Sequence, residues 1–199
     1  MKAGVLCALV LVASALGCQQ YPVRPMPGLR ATEAPARASF PNADVGAKAY
    51  TNGAEIKAIF NADLMSKGVL PVLLLVDNRS SNELEIVRDR IELSTPSGAR
   101  MQPINPDAAT TDQGRNALAE AVLFFGVFSY ADAEKYNNEM RRDWVDKAVP
   151  EVQIVRSGLT TSKFLYFNVG KDYSLAGSNL NVVIQPLGGG PAQTLTLKL

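Results

Sequence analysis

Residues 69–76 decide the fold: they read Val69-Leu70-Pro71-Val72-Leu73-Leu74-Leu75-Val76. The turn-forming stretch Asp77-Asn78-Arg79-Ser80-Ser81-Asn82 follows directly. A continuous aliphatic run closed by turn formers is typical of a β-strand that is buried on both faces. We therefore predict a buried strand here, with the rest of the domain built around it.

Shorter strands are predicted on both sides of this run, and most of them alternate between apolar and polar side chains. They cover residues 84–87, 90–94, 101–104, 163–169, 180–185 and 194–199. Short strands separated by turn signals favour an antiparallel immunoglobulin-like β-sandwich, and strand–helix–strand units typical of a parallel sheet are absent from the pattern. The predicted fold class is mainly β with a helical insert.

Two regions carry apolar residues at helical spacing. Residues 55–66 predict a short helix that ends at Gly68, because Ile56, Ile59 and Phe60 recur on one face. Residues 111–149 hold a nearly all-apolar part, 117–130, followed by an amphipathic part. We predict a helical hairpin or one long bent helix, inserted into the sandwich at about residues 107–149.

The apolar core of the insert, residues 121–130, is too short to cross a membrane. About ten residues give ~15 Å of helix, half of what a bilayer core requires. Three interpretations stay open: packing on the sandwich, an oligomer or partner surface, and shallow membrane contact. The candidate contact residues are Phe124, Phe125, Phe128 and Trp144. For Trp144 the alternatives are an interfacial anchor and a filler between helix and sheet.

The first seventeen residues have the pattern of an export signal. Lys2 precedes an apolar stretch, residues 5–16, which is interrupted only by Ser14. A run of about 12 residues suits a signal peptide and is too short for a membrane span. It ends in Ala15-Leu16-Gly17-Cys18, which looks like a lipobox. This predicts cleavage after Gly17 and lipid on Cys18; the alternative is an ordinary secretory signal that is cut elsewhere.

This leader implies an order of segments along the chain. Residues 1–17 are the predicted signal peptide, residues 18–43 the lipidated cysteine with a proline-rich flexible tether, and residues 44–199 the folded domain. Gln19 follows the cysteine where an Asp tends to retain lipoproteins in the inner membrane. The predicted location is therefore the outer membrane, with the domain facing the periplasm.

Composition excludes several function classes. The chain contains no histidine, which rules out His-based catalysis and His metal ligands. Beyond Cys7 in the leader, Cys18 is the only cysteine, and the cleaved chain holds 19 basic and 19 acidic side chains. We predict no cofactor, no nucleic-acid partner and no metal. Asp77-Asn78 and Asn82-Glu83 flank one turn and could bind Ca²⁺ through their oxygens, although turn chemistry explains them equally well.

The remaining polar residues do not form a recognisable active site. Asp107 with Asp112, and Glu83 with Glu85, are the carboxylate pairs in which acid–base work is conceivable. A proline follows residues 188–190, so this glycine run is predicted to be a loop and not a phosphate cradle. We predict that the chain is not an enzyme but a structural or protein-interaction module of the cell envelope. Alternatives are a membrane-contacting module and, remotely, an envelope enzyme without His or Cys chemistry.

Short motifs support this interpretation. Residues 68–72 read Gly-Val-Leu-Pro-Val, the turn at Asn78-Arg79-Ser80-Ser81 follows, and residues 164–167 read Phe-Leu-Tyr-Phe. With the lipobox and the apolar insert, this pattern resembles a family of uncharacterised proteobacterial lipoproteins. The resemblance covers most of the mature chain and implies an anchored domain without assigned catalytic residues. The phenylalanines of the insert depart from the Gly- and Ala-rich character of those relatives.

Overall fold

The structure, a computed structural model, describes residues 20–110 and 127–199, with the side chains of residues 127–131 excepted. The chain divides into two compact units. The first unit comprises residues 1–22 and 114–140, and the second comprises residues 23–113 and 141–199. All the strands named below belong to the second unit.

The described residues are mainly antiparallel β-structure, which confirms the mainly β part of the predicted class. The strands are β1 Ala36–Phe40, β2 Ala43–Ala49, β3 Val69–Asn78, β4 Leu84–Val87, β5 Glu92–Ser94, β6 Arg100–Met101, β7 Val152–Val155, β8 Thr160–Asn168, β9 Asn179–Pro186 and β10 Gln193–Lys198. The helices are α1 Gly53–Phe60, α2 Pro106–Ala109 and α3 Val127–Lys147. Every ladder between these strands is antiparallel.

The predicted buried strand is confirmed as β3. It lies inside one sheet with the order β1-β2-β3-β8, and nine of its ten residues are buried. Leu70, Val72 and Leu74 point into the core that this sheet shares with the second sheet. Leu73, on the opposite face, is also fully buried. Burial on both faces explains why the strand carries no apolar–polar alternation.

Pro71 lies inside this central strand, where a proline normally removes a ladder hydrogen bond. Its carbonyl oxygen accepts a hydrogen bond from the Tyr50 backbone N–H at 2.9 Å. The backbone polar groups of one strand residue face the same side, so the missing N–H of Pro71 faces the point where β2 ends at Ala49. The proline therefore leaves the β3–β8 ladder intact.

The second sheet is centred on β9. Strands β4 and β5 pair with opposite ends of one side of β9, and β10 pairs with its other side. Strand β7 continues the sheet beyond β4, and β6 continues it beyond β5. Val45 and Val72 from the first sheet belong to one buried cluster with Ile86 and Leu180 from the second. The two sheets thus share a hydrophobic core.

The prediction of a flexible tether is wrong for residues 31–43. Residues 36–40 form β1, which pairs with β2, and Ala31 and Ala34 are buried. A Cβ atom on Gly46 would lie 2.5 Å from the Ala31 carbonyl oxygen. The prolines that favour a linker in this stretch, Pro35 and Pro41, lie on either side of β1, where they do not interrupt its ladder with β2.

Helix α1 is shorter than the predicted helix over residues 55–66. The Asn52 side chain accepts hydrogen bonds from the N–H groups of Ala54 and Glu55, and Asn61 ends the helix with a left-handed φ of 55°. A separate 3-10 turn follows at Met65–Lys67. The alternation read as a strand at 101–104 yields only the two-residue β6.

Of the predicted insert at about 107–149, the structure describes α2 and α3. Helix α3 ends at Lys147, two residues before the predicted boundary. Its residues 127–140 belong to the first unit and residues 141–147 to the second. Residues 111–126 lie outside the described residues.

Candidate functional site

The outer edge of β8 is covered by other backbone, and we call it the closed edge. The Val149 N–H donates to the Phe164 carbonyl at 2.8 Å, and the Ile104 N–H donates to the Tyr166 carbonyl at 2.8 Å. Ala148 forms an isolated parallel bridge with Phe164. The segment that follows α3 and the segment that precedes α2 therefore satisfy carbonyls that an edge strand would otherwise leave open.

Trp144 supports this closed edge from inside the second unit. It is completely buried, and its ring contacts the Phe60 ring edge-on with centroids 5.5 Å apart. Phe60 packs against Phe164 of β8 at 4.8 Å, and the Tyr166 hydroxyl donates to the Trp144 carbonyl at 3.1 Å. The expectation that Trp144 contacts a partner or the membrane is therefore corrected. The Trp144 side chain fills the space between helix and sheet, where burial of its large ring away from water stabilises the fold.

A buried ion pair lies beside this aromatic cluster. Lys147 and Asp143, one helical turn apart on α3, form a salt bridge in which each side chain is only 5% exposed. The Lys147 ammonium also donates to the Ile59 carbonyl at 3.4 Å. This bond ties the last turn of α3 to α1, so the ion pair helps to hold the covering segment in place.

An exposed ion pair joins α2 to α3. The Arg141 guanidinium donates to the Asp107 carboxylate at 2.6 Å. This hydrogen bond lowers the pKa of Asp107 below its usual range and raises the pKa of Arg141. Of the other carboxylates considered for acid–base work, Asp112 lies outside the described residues. Glu83 lies 4.0 Å from Arg156 in a surface ion pair.

Strand β7 forms an edge of the second sheet, and we call its outer side the open edge. In the described residues β7 pairs with β4 alone. Val152 and Ile154 are 47% and 36% exposed, while Val155 belongs to the shared core. Strand β10, another edge, exposes Thr194, Thr196 and Lys198 instead. Polar and charged residues are the usual protection of an edge, so β7 is unusual in presenting aliphatic side chains.

Buried Asn78 anchors the end of β7. Its side-chain amide donates to the carbonyls of Val155 and Asn82 at 2.9 and 2.8 Å, and its oxygen accepts from both the N–H and the hydroxyl of Ser80. In the turn that the sequence suggests as a possible Ca²⁺ site, the Asn78 side chain thus makes hydrogen bonds within the turn itself. Within residues 20–110 and 127–199, no three His, Cys, Asp or Glu side chains lie close enough together to hold a metal ion.

A cavity of about 240 Å³ lies at the same end of the second unit as this turn. Ser80 and Asn82 from the turn and Gln193 from β10 supply polar groups, and Pro41 and Pro186 form part of the wall. The volume lies below the usual range for small-molecule sites, which begins at about 300 Å³. Hydroxyl and amide groups make hydrogen bonding the chemistry that this cavity offers.

The first unit holds the segment that follows the predicted lipid site. Tyr21 is 4% exposed, and its ring meets the Tyr136 ring edge-on with centroids 5.3 Å apart. The Tyr21 backbone N–H donates to the Glu139 carboxylate at 3.2 Å. We call these three residues the Tyr21 contact. The predicted tether is therefore wrong at this position too, because Tyr21 is fixed to α3.

The other predicted site residues cannot be placed. Cys18, Gly17, Phe124 and Phe125 lie outside the described residues, and Phe128 lies in α3 with its side chain outside them. None of the helices in the described part of the chain is both long and apolar enough to cross a bilayer.

No protein-family model matches the chain, and no curated protein matches it. Two features then bear on binding: the open edge in the second unit and the Tyr21 contact in the first. Both lie outside the residues singled out by the sequence.

Proposed function

We propose that the chain is a bacterial lipoprotein, cleaved after Gly17, acylated on Cys18 and held at the outer membrane facing the periplasm. The leader supports this proposal, because a short apolar run ends directly at a small residue and a cysteine. No other cysteine follows in the chain. Resemblance to the family of proteobacterial lipoproteins points the same way.

The finer description of the fold belongs to this proposal. An immunoglobulin-like sandwich is supported by two antiparallel sheets with a common core. A helical insert is supported by the position of α3 between β6 and β7 in the chain. The segment that follows α3 meets the sheet at the closed edge, within the second unit.

The anchored domain acts as a protein-interaction module, and the open edge carries this proposal. An extended segment of a partner can add to β7 as a further strand, with main-chain hydrogen bonds giving affinity. Val152 and Ile154 project from the same face of β7 and would pack against apolar side chains of the added strand. Glu151 and Arg156 lie at the two ends of β7, and their opposite charges would set the direction in which the added strand runs.

Site-specific photocrosslinking in intact cells tests this role. A crosslinker at Glu151, beside β7, is expected to give one discrete adduct, whereas a crosslinker at Thr194 on β10 gives none. Ile154→Lys should abolish the adduct, because the charged side chain on β7 would have to be buried against the added strand. Val145→Lys is the matched control, since Val145 is 41% exposed on α3. Equal adducts from both positions, or an adduct that survives Ile154→Lys, would refute the open edge as the binding site.

Anchoring is tested separately on the N-terminal peptide. Mass spectrometry of the protein from a bacterial envelope is expected to show a chain that begins at Cys18 and carries acyl groups. Cys18→Ser should release the domain in soluble form. An unmodified cysteine, or cleavage at another position, would overturn the anchor.

A second candidate function is direct contact with the bilayer. The Tyr21 contact favours it. Tyr21 follows Cys18 by only three residues and packs against Tyr136 of α3, so part of α3 lies close to the residue that carries the lipid. If the Cys18→Ser form still binds liposomes, the protein itself has affinity for lipid; absence of binding leaves the acyl group as the only attachment.

A further inference from the structure

We infer that the Tyr21 contact seats the Tyr21-facing side of α3 directly on the lipid surface, so that the protein has no spacer between its anchor and its fold. This inference rests on the proposed lipidation of Cys18. It concerns only the first unit, in which Tyr21, Tyr136 and Glu139 lie. The partner is the headgroup region of the bilayer that holds the acyl chains.

Chain length sets the distance. Cys18 precedes Tyr21 by three residues, and three extended residues span at most about 10 Å. The acyl chains enter the bilayer at Cys18, so Tyr21 lies within this distance of the point where they enter. A flexible tether of some twenty residues would allow several times this distance. The buried Tyr21 ring removes that freedom at its start.

The contact then transmits this confinement to the helix. Tyr136 and Glu139 lie one turn apart on the same face of α3, and Tyr21 touches both. The ring contact and the backbone hydrogen bond involve different atoms of Tyr21. Together they fix where Tyr21 lies on the helix as well as how far it lies from the helix. The helix face that carries Tyr136 and Glu139 must therefore lie near the headgroups whenever Cys18 is acylated.

The residues on this side suit a headgroup environment. Tyrosines are enriched at membrane–water interfaces, where the ring meets apolar groups and the hydroxyl meets water. Tyr136, which is partly exposed, supplies one of them, whereas Tyr21 is only 4% exposed and acts by packing against the helix. Lys135, adjacent to Tyr136, has a side chain that is 58% exposed and lies 3.9 Å from the Glu139 carboxylate, so the charge of Glu139 is paired on the side that meets anionic headgroups. A partly exposed tyrosine and an exposed lysine therefore give this side of α3 the composition of an interfacial surface.

Labels on two faces of α3 test the inference in the full-length, lipidated protein. Lys135→Cys places a thiol beside the Tyr21-facing side, while Glu134→Cys places one on the opposite side, because successive residues turn by about 100° and position 134 lies about 160° around the helix from Tyr136. Each variant carries a fluorophore and is reconstituted into vesicles that contain a lipid with a quencher on its headgroup. Quenching is expected to be stronger at position 135 than at position 134. Insertion of twelve Gly/Ser residues between Gln20 and Tyr21, a spacer of roughly 20 Å, should remove that difference.

Further variants separate the contact from the anchor. Tyr21→Ala should reduce quenching at position 135, and Tyr21→Phe should retain it, because the ring remains. Fluorescence of Trp144, the only tryptophan, checks that the second unit stays folded in each variant. Acylated protein with equal quenching at both positions, or with quenching unchanged by the spacer, overturns the inference and leaves the anchor standing. Protein that mass spectrometry shows to be unacylated overturns the proposed anchor itself.

Discussion

The closed edge of β8 and the open edge of β7 show two opposite ways of ending a sheet. At β8, carbonyls of Phe164 and Tyr166 are taken up by backbone N–H groups from outside the sheet. At β7, within the described residues, no ladder continues the sheet beyond the strand, and aliphatic side chains are exposed there. The proposed binding site is the edge that the described residues leave without a further strand.

The two edges also differ in what supports them. Behind β8 the rings of Trp144 and Phe60 pack with the aromatic rings of the strand itself, beside a buried ion pair. Behind β7 lie the shared core, to which Val155 belongs, and the Asn78 amide, which donates one bond to the Val155 carbonyl. Substitutions at the closed edge should therefore act on stability, whereas substitutions on the exposed face of β7 should act on binding.

The largest loss of stability is expected for Trp144→Ala, which removes the group behind the closed edge. Loss of a fully buried tryptophan should lower the free energy of unfolding by about 4 kcal/mol. Urea denaturation followed by circular dichroism measures the change. Val145→Ala, one residue away and exposed, is the control and should stay within about 0.5 kcal/mol of wild type. Comparable losses for the two variants would show that this edge is not held by Trp144.

Breaking the buried ion pair should come next. Lys147→Met leaves the Asp143 carboxylate buried without its ammonium, and should cost about 3 kcal/mol of unfolding free energy. The double variant Asp143→Leu/Lys147→Met should recover most of this loss, because no charge then remains buried. If the double variant is no more stable than Lys147→Met, hydrogen bonding to Ile59 and not charge pairing is the main contribution.

Asn78→Ala is expected to have a smaller effect, at the end of the open edge. It removes the donor to the Val155 and Asn82 carbonyls, and a cost of about 2 kcal/mol is expected for losing these buried bonds. Chemical denaturation gives the value, with Asn168→Ala at the exposed end of β8 as the control. Hydrogen exchange should show faster exchange in β7 than in β8. Protection in β7 equal to that of wild type would contradict the role of Asn78.

The smallest expected effect is the pH dependence of the exposed pair between α2 and α3. Arg141 lowers the folded-state pKa of Asp107, so this pair contributes stability above the unfolded pKa and loses it as the pH falls through the folded one. Arg141→Gln should return the pKa of Asp107 toward its usual value, as measured by NMR titration of the carboxyl group. Arg142→Gln, at the neighbouring exposed position, should leave it unchanged.

Much of the β-structure could be predicted from the sequence. The aliphatic run became β3, and the predicted strands at 163–169, 180–185 and 194–199 correspond to β8, β9 and β10 within a few residues. These strands follow the rule that core-facing positions are apolar, and β8 adds aromatic residues, which favour strands. A burial pattern that repeats along a strand can be recognised without knowledge of its neighbours.

The missed strands depart from that rule for identifiable reasons. Strands β1 and β2 are rich in alanine, and Gly46 fits beneath Ala31 only because it has no side chain. Strand β7 exposes Val152 and Ile154, so its apolar residues do not mark the core. The Tyr21 contact joins positions 118 residues apart, and local pattern carries no signal for such a pair. Composition alone cannot distinguish a buried aromatic side chain from an exposed one. The sequence therefore offers Trp144 as a candidate for partner or membrane contact, although the residue is buried.

Pro71 has a consequence for the chain before it folds. Residues 69–76 form an uncharged aliphatic segment of high strand propensity, the kind that stacks into cross-β aggregates when exposed. A proline within such a segment interrupts the continuous backbone ladder that aggregation requires. In the folded sheet the missing N–H faces the end of β2, where it interrupts no bond to β8. We therefore expect Pro71 to lower self-association of the unfolded chain, at a position where the native sheet tolerates a proline.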